Sequence, residues 1–150
     1  VRGREATPHG HGHGHGHGHG HVVLEVPAKA EYLLLARLAA TAVGRSAGAS
    51  EELIADLKLA VTEAVANAVR HAYPEGVAGR VTIELLTGRD RLEIVVSDTG
   101  RGFTEAGIPL PDGVRETGMG LSIIRAIADE VELTVGPDGQ GTRLRFACAL

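Results

Sequence analysis

Arg80-Val81-Thr82-Ile83-Glu84-Leu85-Leu86-Thr87-Gly88-Arg89-Asp90-Arg91-Leu92-Glu93-Ile94-Val95-Val96-Ser97 decides the fold. Val81, Ile83 and Leu85 fall at every second position before the break, and Leu92, Ile94 and Val96 do so after it. That period belongs to strands with one buried face. Thr87-Gly88-Arg89-Asp90 is a short turn, so the two runs pair as an antiparallel hairpin. A second pair closes the chain: Val131–Val135 and Thr142–Cys148, joined across Gly136-Pro137-Asp138-Gly139-Gln140-Gly141. Strands that come in adjacent pairs exclude a βαβ dinucleotide fold.

Working outward, Val22-Val23-Leu24-Glu25-Val26 is expected as a short strand ended by Pro27. Glu31 to Val43 is expected as a helix with Leu34, Leu35, Leu38 and Ala42 along one face, broken by Gly44 and the Ser46–Gly48 stretch. Ser50 followed by Glu51 and Glu52 marks a second helix start, the hydroxyl capping and the acids favouring the positive end. That helix runs from Glu51 to Ala72, where Tyr73-Pro74-Glu75-Gly76 stops it. Asp98 to Gly120 is Gly/Pro-rich and too long for a simple connection, and a helix from Leu121 to about Asp129 follows. The order predicts an α+β two-layer sandwich: a mixed or antiparallel sheet covered on one face by helices.

The 150 residues suit one domain, and aromatic residues make up only 3%, so aliphatic side chains must fill the core. A net charge of -4 offers no concentrated basic surface for nucleic acid. The single cysteine, Cys148, forbids an internal disulfide, fits a reducing compartment and reads as a small core residue. No apolar run approaches the roughly 20 residues that span a bilayer and no signal-peptide pattern opens the chain, so a cytoplasmic location is expected. From His9 to His21 histidine alternates with glycine, so residues 1–21 are expected as a disordered tail and 22–150 as the domain. The tail is either a Zn, Ni or Cu binder or a low-complexity appendage, natural or a purification tag, with no role in the site.

Four segments can carry chemistry. Glu63, Asn67 and Arg70 are spaced four and three apart, so they share a face of the long helix. They form either an exposed polar stripe or a carboxylate–carboxamide pair able to ligate a hard cation and take a proton. Asp98-Thr99-Gly100-Arg101-Gly102 ends an apolar strand, as a plain turn or as a carboxylate that accepts a hydrogen bond from a flat ligand's amine. Thr117-Gly118-Met119-Gly120-Leu121-Ser122 leads into a helix, as a hinge or as exposed amides suited to phosphate. It is neither a P-loop nor a dinucleotide fingerprint. Gly139-Gln140-Gly141-Thr142 opens the last strand, as a hairpin turn whose threonine can also reach a ligand on the sheet.

Taken in this order, the segments resemble the N, G1, G2 and G3 boxes of the GHKL superfamily of ATP-binding domains, which includes gyrase-type ATPases, histidine kinases and mismatch-repair MutL proteins. The likeness spans about Val22 to Ala149. Asn67-Ala68-Val69-Arg70-His71-Ala72-Tyr73 and Gly118-Met119-Gly120-Leu121 look like the anti-sigma-factor serine/threonine kinases. The resemblance implies a Bergerat fold, ATP with Mg2+, and a homodimeric cytoplasmic switch protein. Such a protein sequesters a sigma factor and phosphorylates a serine or threonine of a STAS-domain anti-anti-sigma partner.

Carried over residue by residue, the resemblance gives Asn67 to Mg2+ and Glu63 to the base or water-orienting role. Asp98 would read adenine, with Gly100 and Gly102 giving clearance, and Thr142 would support the adenine end. Thr117, Gly118, Met119, Gly120 and Leu121 would shape the lid, Arg70 and His71 would flank the triphosphate, and Arg115 would stabilise γ-phosphate charge. The lid departs from its relatives at Glu116, where a basic residue can stand beside the hydroxyl residue before Gly118. Two rival readings are a non-catalytic ATP-binding regulatory module and a histidine-kinase-type ATPase domain from a longer protein.

Overall fold

The computed structural model describes residues 20–102, 117–136 and 139–150, the side chains of 117–119 excepted. In chain order these form β1 (Gly20–Pro27), a 3-10 turn (Ala30–Tyr32), α1 (Leu33–Ser46), α2 (Glu51–His71), β2 (Arg80–Thr87), β3 (Arg91–Asp98), α3 (Thr117–Ile127), β4 (Glu130–Val135) and β5 (Thr142–Ala149). The sheet order is β1-β2-β3-β5-β4. Every pairing among the described residues is antiparallel, so the sheet expected as mixed or antiparallel is the latter.

Register sorts the side chains onto two faces. Val26 pairs with Val81, Ile83 with Val96, Leu92 with Cys148 and Ile94 with Phe146. These residues are buried beneath the helices with Leu57, Val61, Val65 and Ile124. Cys148 is in that core, and burial pushes its thiol up to about 11. The opposite face carries ion pairs instead: Arg145 contacts Glu93 at 2.7 Å and Glu130 at 3.3 Å, and Arg91 reaches Glu130 at 3.2 Å. A helix cannot cover such a face without desolvating those charges, so the helices take one side only.

The long helix starts as its sequence requires, with Ser50 Oγ accepting from the Leu53 N–H at 3.1 Å. Such a cap contributes about 1 kcal/mol. Three differences from expectation bear on the site and its surroundings. The first strand begins at Gly20, so Gly20 and His21 pair with Thr87 and Leu86 instead of belonging to the tail, and the His21 ring lies 3.0 Å from Glu84. The third helix begins at Thr117, four residues early, so the glycines of that segment lie inside its first turn.

The third difference concerns the face of α1. Its buried residues are Ala36, Ala40 and Gly44, while Leu34, Leu35 and Leu38 are exposed. The small residues, four apart, form a ridge that lets α1 approach α2 closely. A Cβ at Gly44 would already stand 3.3 Å from Leu57 Cδ1 and 3.4 Å from Ile54 Cγ1.

Candidate functional site

The C-terminal half of α2 carries the first pair. Glu63 and Asn67 are half-buried, one turn apart, and flanked by buried Ala64, Val65, Ala66 and Ala68. Buried Gly120, in the first turn of α3, lies against both: a Cβ there would be 3.0 Å from Asn67 Nδ2 and 3.0 Å from Glu63 Oε2. The first N–H groups of a helix have no partner within it and carry its positive end. Polar side chains of α2 and the donor-rich start of α3 therefore meet in one place. Arg70 and His71, further along α2, are exposed. Partial burial and neighbouring Arg70 lower the His71 imidazole below its ordinary value, which favours its neutral form.

Asp98 ends β3 facing the helices, and it is buried. Its Oδ1 accepts from the Gly100 N–H at 2.9 Å, and the Thr142 N–H also donates to the carboxylate. Burial raises its carboxyl above the ordinary value, and those two backbone bonds pull it back. Among the described residues no buried side-chain nitrogen or oxygen lacks a partner, and the Asp98 carboxylate has the Gly100 and Thr142 N–H groups as backbone donors.

The turn after Asp98 is wedged between two walls. On one side Ala72 O accepts from the Arg101 N–H at 2.7 Å, and a Cβ at Gly100 would overlap the Ala72 carbonyl. On the other, Gly141 has φ +68, and a Cβ there would overlap the Asp98 carbonyl. Gly102, at φ +69, would place its Cβ 2.8 Å from Gly141 O. Glycine is required at these contacts because only backbone fits between backbones.

The structure thus brings Glu63, Asn67 and Gly120 together, and Asp98, Gly100, Gly102 and Thr142 together. Both clusters are anchored on α2, Asn67 standing about 7.5 Å along the helix axis from Ala72. Leu121 packs against the core from α3. Thr117, Gly118 and Met119 lie in α3's first turn by backbone. Arg115, Glu116 and the rest of residues 103–116, the greater part of the long Gly/Pro-rich connection, fall outside the described residues. Sequence reading gave Tyr73 a place in a helix stop and at the end of the Asn67–Tyr73 run but no contact in the site, although its phenol contacts Thr99 beside Asp98.

The residues present fit an adenine nucleotide with Mg2+. A buried carboxylate whose partners are backbone donors retains acceptor capacity for an exocyclic amine. The Asn67 amide oxygen is a hard ligand beside the start of a helix. Among the described residues no group of three His, Cys, Asp or Glu side chains could hold a metal ion.

A sheet covered on one face by helices, with a polar α2 facing a glycine-bearing helix start, defines an ATP-binding domain of the GHKL type. The chain belongs to the histidine kinase-like ATPase domain family, whose model matches residues 26–147. It is similar to the serine-protein kinase RsbW of Listeria monocytogenes, 40% identical over 123 residues, which cover 75% of this chain and 78% of that one. The same-named kinase of Bacillus subtilis is 37% identical over 122 residues, covering 75% and 76%. Among solved structures, the histidine kinase domain of a blue-light activated histidine kinase from Erythrobacter litoralis matches with a TM-score of 0.52 at 22% identity. That match covers 82% of this chain and 65% of the other, and it shows the fold. No helix among the described residues is long and apolar enough to cross a membrane.

Proposed function

We propose that this protein is an ATP-dependent serine/threonine kinase of the anti-sigma type, acting in the cytoplasm. It transfers the γ-phosphoryl group of ATP to a serine or threonine of a small STAS-domain anti-anti-sigma protein, and it sequesters a sigma factor. The observation that carries the reading is the approach of Gly120 to Glu63 and Asn67. It sets a carboxylate, an amide oxygen and a helix start at one point, with a buried carboxylate beyond the end of the same helix. The RsbW relatives, named serine-protein kinases, support the kind of acceptor.

In this reading Asp98 accepts from the adenine amine, Gly100 and Gly102 give the base clearance, and Gly141 lets the start of β5 pack against the Asp98 carbonyl. Asn67 holds Mg2+, which when bound neutralises phosphate charge. Glu63 orients the attacking hydroxyl and takes its proton. Phosphoryl transfer depends chiefly on positioning and electrostatics, so few side chains suffice. A homodimer belongs to the same reading, supported by Leu34, Leu35 and Leu38 exposed at 60%, 44% and 56%. Monomeric soluble proteins rarely expose large contiguous apolar patches.

The test is incubation of the full chain with γ-labelled ATP, Mg2+ and candidate STAS proteins. Label is expected on a serine or threonine of one partner, and it should be abolished in Glu63→Ala and Asn67→Ala. Tight nucleotide binding with no partner labelled under single-turnover conditions would leave a non-catalytic regulatory module instead.

A further inference from the structure

We infer that Tyr73 is a positioning residue for adenine recognition, an inference that rests on the nucleotide reading above. Tyr73 lies just beyond the C-terminus of α2, and its phenol crosses to the turn after Asp98. Its hydroxyl donates to Arg80 O at 2.6 Å. The same oxygen accepts from the Thr99 N–H at 3.1 Å and lies 3.2 Å from Thr99 Oγ1. One atom thus joins the first residue of β2 to the residue following Asp98. Those strands are already paired there, Val81 opposite Asp98, so the phenol clamps the open end of the pair.

Two further observations show that the clamp is built in. Gly79 leaves the space that the ring fills, since a Cβ at that position would overlap it. Ala72, the preceding residue, takes the Arg101 N–H at 2.7 Å. Thr99 and Arg101 are therefore both tied to the end of α2, and Gly100 between them donates to Asp98 itself at 2.9 Å. The carboxylate cannot swing without breaking one of these bonds. Base recognition needs that restraint, because a recognition group must be held within about 0.5 Å of its working geometry. The helix that carries Asn67 and Glu63 thereby also fixes the group at the opposite end of the site.

The experiment uses the full chain with Tyr73→Phe, which keeps the ring and removes the hydroxyl. Calorimetry with ATP and with GTP, each with and without Mg2+, is expected to show ATP affinity reduced roughly five-fold, the scale of one lost hydrogen bond. The preference for ATP over GTP should narrow while the Mg2+ dependence persists. By NMR, the Thr99 amide should exchange faster while amides of α2 around Val61 do not change. Gly79→Ala, which displaces the ring, should give the same pattern. Unchanged ATP affinity and preference alongside a lower Tm would mean that the hydroxyl only supports the fold, and would overturn the inference. A parent protein without adenine preference would sink the nucleotide reading instead. The Thr99 exchange rate would then decide separately whether Tyr73 holds the turn: unchanged exchange in both variants overturns the clamp.

Discussion

Gly120 of α3 lies against Asn67 of α2, so close that a Cβ would stand 3.0 Å from the amide nitrogen. Contact at that distance is with the tip of a side chain, which can yield by a few tenths of an ångström. A methyl group at Gly120 therefore displaces Asn67 and Glu63 without forbidding the fold.

Gly120→Ala should separate activity from stability. Alanine is favoured over glycine in a helix by about 1 kcal/mol, so Tm is expected to hold or rise. Phosphoryl transfer to the partner should fall at least about ten-fold, because a misplacement of well under 1 Å already matters for positioning. Equal transfer rates in parent and variant, measured in a single turnover, would mean that the packing of α3 on this pair has no part in catalysis.

Glu63 and Asn67 should fail in different ways. Glu63→Gln keeps shape and hydrogen bonding but cannot take a proton. Transfer is expected to slow by about 10²–10⁴ while nucleotide affinity stays close to that of the parent. Asn67→Ala removes the amide oxygen, so the Mg2+-dependent part of ATP affinity should disappear. Calorimetry with and without Mg2+ checks both, and a loss of ATP affinity in Glu63→Gln would contradict the division of roles.

Asp98 should cost stability at the pH where it works. Burial holds its carboxyl above the ordinary 3.8. A folded-state value above the unfolded one means that stability is highest below the unfolded value and is lost as pH rises through the folded one. Asp98→Asn removes the buried charge and keeps an oxygen for the backbone donors, so its Tm at pH 7.5 should equal or exceed the parent's. The advantage should shrink as pH drops toward 4. ATP affinity should nevertheless fall about 10- to 100-fold, since a bond to a charged acceptor is lost. A Tm well below the parent's at pH 7.5 would show that the backbone bonds, not burial, dominate at this residue.

Much of this was legible in sequence, and what was not has a physical cause. Alternation at Val81–Leu85 and Leu92–Val96 fixed a hairpin, because period two has no other reading when one face is buried. Ser50 was legible because capping is local chemistry. The start of α3 was not: Gly118 and Gly120 read as loop, and only the close approach of α2 explains a glycine inside a helix. Tyr73 escaped for a similar reason. Its partners Arg80 and Thr99 are 7 and 26 residues away, and no pattern links them. The face of α1 was misjudged from hydrophobicity, since a ridge of Ala36, Ala40 and Gly44 packs closer to α2 than leucines could.

That outward leucine face gives the last test, on the proposed homodimer. Leu35 and Leu38 are 44% and 56% exposed and stand outside the buried core, so Leu35→Glu with Leu38→Glu leaves that core in place. Exposed substitutions of this kind usually change stability by less than about 0.5 kcal/mol each. An isologous dimer places the same patch on both protomers, so four new carboxylates would face one another across a two-fold axis. Sedimentation should then show a dimeric parent and a monomeric double variant with ATP affinity retained. A variant that remains dimeric would place the interface elsewhere, and a parent monomeric at every concentration would remove the dimer from the proposed function.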